Sequence, residues 1–154
     1  GDAELRIDPR NPTLASISRD WMEEMSATHA FRGIEWSERV SVKVVGIGEL
    51  IREYGEPDFC KIDVEGYEEE VLSGLECPLK AISFEYLAQA RERAERCIDL
   101  LEALGRYEYR ISARETMRYT GAHSVSHEEV RSFLRSLRDG DSAGDIYGRL
   151  IHER

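Results

Sequence analysis

Residues 59–75 read FCKIDVEGYEEEVLSGL, and they set Lys61, Asp63 and Glu65 two apart at the downstream end of a short apolar run before a glycine and a helix. Side chains alternate across a strand with period two, so these three charges share one face. A strand buried on both faces does not hold unpaired charges, because each costs several kcal/mol or neutralises. The run therefore has to be a strand emerging into a cleft. Gly66 permits a sharp turn into the helix and leaves Asp63 and Glu65 at the rim.

The surrounding pattern places that strand in an α/β sheet. AELRI alternates apolar and polar residues and is closed by the turn formers DPRNP, and RDWMEEM suggests a short helix. RVSVKVV is β-branched with period two, IGELIREYG is a short helix stopped by Gly55, and PDFCKIDV is the strand just described. YEEEVLSGL, with acids in its first turn, is the next helix. LKAISFEYL is a further strand, and AQARERAERCIDLLEALG is the longest helix, ended by Gly105. RYEYRIS and TMRYTG then suggest an antiparallel pair. SHEEVRSFLRSL opens with a capping box at Ser126 and Glu129, and GDIYGRLI carries no clear pattern. This order predicts an open sheet with parallel strands in the middle and an antiparallel pair at one edge. Ligands of such sheets bind outside the carboxyl ends of the strands.

AISFEY repeats the arrangement, being apolar until Glu85 near its downstream end. If the two strands are neighbours, Asp63, Glu65 and Glu85 converge on one cleft. At this point two explanations stand side by side. The acids form a site, or Lys61 pairs with one of them and the others cap helix N-termini. Oxygen donors in that number also suit a hard divalent cation, although no histidine lies nearby, since His29, His123, His127 and His152 are scattered. Tyr67 and Tyr86 directly follow Gly66 and Glu85 and are candidates to wall the cleft, whereas core packing is the ordinary fate of such tyrosines.

Charge narrows the partners. The net charge is −10, with 31 acids against 21 bases, which disfavours nucleic acid and anionic membrane surfaces. The arginines of ARERAERC alternate with glutamates as on a solvated helix face. No apolar run reaches the roughly 20 residues of a membrane helix. Cys60, Cys77 and Cys97 are odd in number and form no CxxC pair, so reduced thiols in a cytoplasmic protein are expected and no zinc site is signalled. VVGIGELI loosely matches a dinucleotide fingerprint, which leaves a nucleotide-binding α/β domain as one alternative, but Ile51 occupies the place of the third glycine.

PDFCKIDVEGYEEEVLSGL, preceded by ELIREYG and followed by AISFEY, resembles the C-terminal half of FkbM-type methyltransferases. The resemblance covers most of the chain. It implies a Rossmann-like class I methyltransferase sheet, mostly parallel with an antiparallel edge hairpin, and S-adenosylmethionine as cofactor for methyl transfer to a hydroxyl group of a small molecule or sugar. Asp63 and Glu65 are then the catalytic candidates, Asp63 and Gly66 the cofactor contacts, and Glu85, Tyr67 and Lys61 the residues expected at the substrate. No resident metal is implied.

The family carries its glycine-rich cofactor loop and ribose-binding acid upstream of the matched region, so residues 1–154 are expected to be one N-terminally truncated, partial domain. Where the family usually has a threonine, leucine and aspartate stretch, Gly46 and Gly48 stand instead. The contrasting expectation is a non-catalytic module of this fold that binds or self-associates as a homo-oligomer through an exposed strand edge.

Overall fold

The computed structural model describes residues 1–114, 116 and 118–151. Among the described residues, two sheets and five α-helices make a mixed α/β architecture. The first sheet is antiparallel and three-stranded, with β1 (Asp2–Asp8) between β2 (Asn11–Ser16) and β3 (Glu38–Lys43). Helix α1 (Arg19–Ser26) follows β2 and is capped by the Ser18 side chain, which accepts from the Trp21 amide. Trp21, Met22, Met25 and Phe31 form a small core together with Ala90 from the second half of the chain.

The second sheet has the order β4-β5-β7-β6, built from β4 (Cys60–Ile62), β5 (Ala81–Tyr86), β6 (Tyr107–Ala113) and β7 (Gly144–Leu150). Helix α2 (Ile47–Tyr54) leads into β4, α3 (Glu68–Ser73) connects β4 towards β5, and a 3-10 turn with α4 (Arg91–Leu104) connects β5 to β6. Helix α5 (His127–Ser136) precedes β7 and starts at the expected capping box of Ser126 and Glu129. The alternate residues Ile62, Ile82, Phe84, Ile146, Tyr109 and Ile111 point to one face, where they pack with Leu72 of α3, Ile98 and Leu101 of α4, and Val130 and Leu134 of α5. Charged and polar residues occupy the other face: Lys61, Ser83, Tyr147 and Arg110 form one cross-strand row, and Glu85, Asp145 and Ser112 the next.

The sheet is mixed, which corrects the expectation of a mostly parallel one. Only the β4–β5 pairing is parallel; β7 lies between β5 and β6 and is antiparallel to both, so β6 runs in the direction of β5 without pairing with it. GDIYGRL hid this strand because two glycines lower strand propensity, yet both are required by close approach. A Cβ on Gly144 would collide with the Ser112 carbonyl, and one on Gly148 would crowd Tyr107 and Ile82. The expected partner of β6, TMRYTG, forms no strand among its described residues, and Met117 lies outside them, as does His152. RVSVKVV is a strand, but it belongs to the first sheet, in register with β1 from Asp2↔Lys43 to Ile7↔Glu38. Five of the six residues of β3 are exposed and only Val42 is partly buried, which is not the environment of a buried parallel strand.

No helix among the described residues is long and apolar enough to cross a membrane. Leu101 is fully buried between α4 and the sheet. Leu101→Ala is expected to cost about 2–5 kcal/mol through lost burial and the cavity left behind, read as a lower midpoint in urea unfolding.

Candidate active site

Because β4 and β5 are parallel neighbours with Ile62 opposite Phe84, their carboxyl ends open side by side. Asp63 follows β4 and is exposed, while Glu65 and Glu85 are half-buried. Each of these three carboxylates presents an oxygen within 4.8 Å of the others. The convergence expected from sequence is therefore present.

The Lys61 ammonium donates to Asp145 at 2.6 Å and lies 3.4 Å from Asp63. It neutralises the outer side of the cluster and is held there by a residue of β7. Lys61, Asp63, Glu85 and Asp145, together with Arg114 and Gly144, line a cavity of about 450 Å³. Tyr67 stands apart from this cavity. It borders, with Asp63, an apolar groove of about 530 Å³ along the outer edge of β4, whose walls include Val44, Val45, Ile47, Leu50 and Val71. Tyr86 turns to the opposite face, buried edge-on against Phe133 at 5.5 Å, and lines there a small cavity of about 20 Å³ that Glu65, Gly66 and Glu85 also border.

Ser16, Trp21 and Glu68 shape the site without having carried a local signal for it in the sequence. Glu65 and Gly66 both have left-handed backbone, with φ of 47° and 88°. For a non-glycine residue that conformation costs on the order of 1–3 kcal/mol and persists only where neighbours over-determine it. Ser16 donates its hydroxyl to the Glu65 carbonyl at 2.7 Å and accepts from the Ser18 amide at 3.0 Å. The Trp21 ring lies so close to Gly66 that any Cβ there would overlap it. From below, the Glu68 carboxylate accepts from the amides of Val64 at 3.2 Å and Gly66 at 3.1 Å. The turn that carries Glu65 is thus clamped between the N-terminal sheet and the first turn of α3.

Electrostatics follow from this confinement. Burial, then the charges of Asp63 and Glu68, push the Glu65 carboxyl up to about 7. Glu85 is pushed up to about 8, again by burial first and then by Glu65, Asp63, Glu68 and Asp145. Glu68 is also raised by burial, opposed by the backbone amides it accepts from. Carboxyls held near neutral pH can both take and release protons there. The three oxygens would also serve a hard cation, but they supply fewer than the six to eight donors that calcium takes, about half its shell.

Two predictions follow from the clamp and from the charge. Gly66→Ala forces a Cβ into Trp21 at positive φ and is expected to destabilise the fold by about 3 kcal/mol, against about 1 kcal/mol for Ser16→Ala. Chemical denaturation of both variants measures the difference. Glu65 and Glu85 titrate higher in the fold than the ordinary value of 4.5, so the folded state holds more protons than the unfolded chain in that interval. Stability should therefore decline as pH rises from about 5 to about 9. Glu85→Gln should flatten that decline, as read from unfolding midpoints across the range.

The family model for the methyltransferase FkbM domain matches residues 5–140. No curated protein matches the chain, and no solved structure does.

Proposed function

The chain belongs to the FkbM methyltransferase domain family, and from that premise we propose that it methylates a hydroxyl group of a small molecule or sugar with S-adenosylmethionine as donor. The observation that carries this assignment is the meeting of Asp63, Glu65 and Glu85 at two adjacent parallel strand ends, two of them titrating near neutral pH. Such strand ends are where sheets of this kind bind ligands. The order β4-β5-β7-β6, with its antiparallel strand set inside, supports a Rossmann-like class I sheet.

The residues fit the cofactor on two counts. The donor is a cation, and carboxylates around the cleft favour it electrostatically. The apolar groove along β4 opens directly onto Asp63 and, at about 530 Å³, lies in the range of small-molecule sites. When bound, S-adenosylmethionine supplies an electrophilic methyl group on sulfur.

The chain's own part is positioning and proton removal. Glu65 is the stronger candidate base of the pair Asp63 and Glu65, because its carboxyl is poised near 7. It would accept the acceptor's hydroxyl proton and hold that oxygen in place to receive the methyl group that the bound donor would supply. The clamp of Ser16 and Trp21 holds Glu65 still, which matters because in-line displacement depends on orientation. Lys61, locked to Asp145, keeps the outer rim of the cleft from excess negative charge. The free thiols Cys60, Cys77 and Cys97 suit a reducing, cytoplasmic setting.

Calorimetric titration with S-adenosylhomocysteine tests the assignment. Micromolar binding is expected, weakened about tenfold or more in Asp63→Asn through the lost charge. A well-folded chain that binds neither this product nor the donor would overturn it.

A further inference from the structure

The face of the second sheet that α3, α4 and α5 do not cover carries a set of groups that the methyl-transfer site does not use. Among the described residues, the buried side-chain polar atoms without a hydrogen-bond partner are Ser83 Oγ, Arg110 Nε and Ser112 Oγ. All three residues lie on this one face. Ser83 and Ser112 are almost wholly buried. Native proteins leave few such groups, and each calls for an explanation.

Aromatic side chains surround them. Phe59 and Tyr147 lie nearly parallel, 6.3 Å apart, and Tyr119 meets Tyr147 at 83° and 5.3 Å, which forms a floor and a wall. Phe59 and Tyr119 are about half exposed. Arg110 stacks on Tyr119 at 4.3 Å and donates to the Gly121 carbonyl. It has no carboxylate partner among the described residues, unlike its neighbour Arg149, which pairs with Glu108. Phe59, Arg110, Tyr119 and Tyr147 line a cavity of about 330 Å³, which Glu108 and Arg149 also border. A guanidinium left unpaired in a chain of net charge −10 marks a place where an anion is wanted.

Tyr147 lies opposite both Ser83 and Arg110, and Asp145, two residues away along β7, lies opposite Glu85. Two residues along a strand span about 7 Å. A ring lying on Tyr147 therefore sits one row from the acid cluster.

The geometry points to a binding site for a planar ring that bears a carboxylate or phosphate group. The ring packs against Tyr147 and Tyr119, the anion pairs with Arg110, and a hydroxyl on the far side of the ring reaches the row of Glu85. This names the acceptor class of the transfer reaction, and in that respect rests on the function proposed above. The net acidity of the chain does not oppose it, because the acid that lines this cavity, Glu108, is paired with Arg149 and leaves the Arg110 charge to a ligand.

The test is an NMR titration of the ¹⁵N-labelled chain with 4-hydroxybenzoate, with phenyl phosphate, and with benzyl alcohol as the neutral ring. Either anionic probe is expected to shift the Arg110 and Tyr147 amides saturably, the tighter one identifying the anion, with benzyl alcohol weaker by about tenfold or more. Arg110→Gln should weaken the anionic probes by a similar factor. Arg110→Lys, which keeps the charge and loses the planar fork, should fall between the two and serves if the glutamine variant does not fold. No saturable shift with either anion, or equal binding of benzyl alcohol, or unchanged binding in the Arg110 variants, overturns the proposal. A separate titration with S-adenosylhomocysteine keeps the two assignments apart. Binding of the anions without the nucleoside would retain this site and remove the donor assignment, and the reverse result would remove this site alone.

Discussion

Trp21 packed on the bare backbone of Gly66 is the contact on which the site depends. It joins the antiparallel N-terminal sheet to the parallel strand pair, and no side chain other than hydrogen fits between them. Once the two units are held at that distance, the Ser16 hydroxyl reaches the Glu65 carbonyl and keeps Glu65 in a left-handed conformation it would not adopt alone. The Glu68 carboxylate completes the grip from the helix side by accepting from Val64 and Gly66. A strained turn is therefore over-determined from two directions, and its strain is balanced by packing some 45 residues earlier in the chain.

The same enclosure explains the chemistry. Three acids close together in water would all be charged near neutral pH and would simply repel weakly. Here burial comes first among the causes that raise Glu65 and Glu85, and mutual repulsion adds to it. Lys61 is turned outward to Asp145 at 2.6 Å and so does not pair with the inner carboxyls Glu65 and Glu85. Elsewhere the fold treats a buried acid in the opposite way. Asp8 accepts from the Glu35 and Arg10 amides and from Asn11, and these bonds hold its carboxyl down to about 2. Asp8 is a structural knot that ties the β1–β2 turn to the segment before β3. The contrast between the two places is one of hydrogen-bond supply, since both are shielded from solvent.

Much was legible where local chemistry decides. Gly55 and Gly105 end helices as read, Ser126 and Glu129 make a capping box, and the strand end at Asp63 opens beside Glu85. What escaped reading was strand pairing. RVSVKVV looks the same whether its neighbour is β1 or β4, because period-two alternation is common to both pairings. GDIYGRL was unreadable because its glycines answer to Ser112, Tyr86 and Tyr107 across the sheet and not to their own neighbours. TMRYTG carries β-branched and aromatic residues that suit a strand, yet Tyr119 turns to Tyr147 and Arg110 instead.

By itself, then, the sequence determined which segments could be helices or strands, that charged residues had to gather at the end of the KIDVEG strand, and that this stretch carries the mark of the FkbM family. These are consequences of period, capping and the cost of burying charge, all of which act within a dozen or so residues. Only the tertiary structure decided that the sheet is mixed, that Ser16 and Trp21 clamp the turn that carries Glu65, and that Arg110 lies over Tyr119 with no carboxylate partner among the described residues. Those features arise from contacts between residues tens of positions apart, and a contact at that separation leaves no periodic trace in either of its partners.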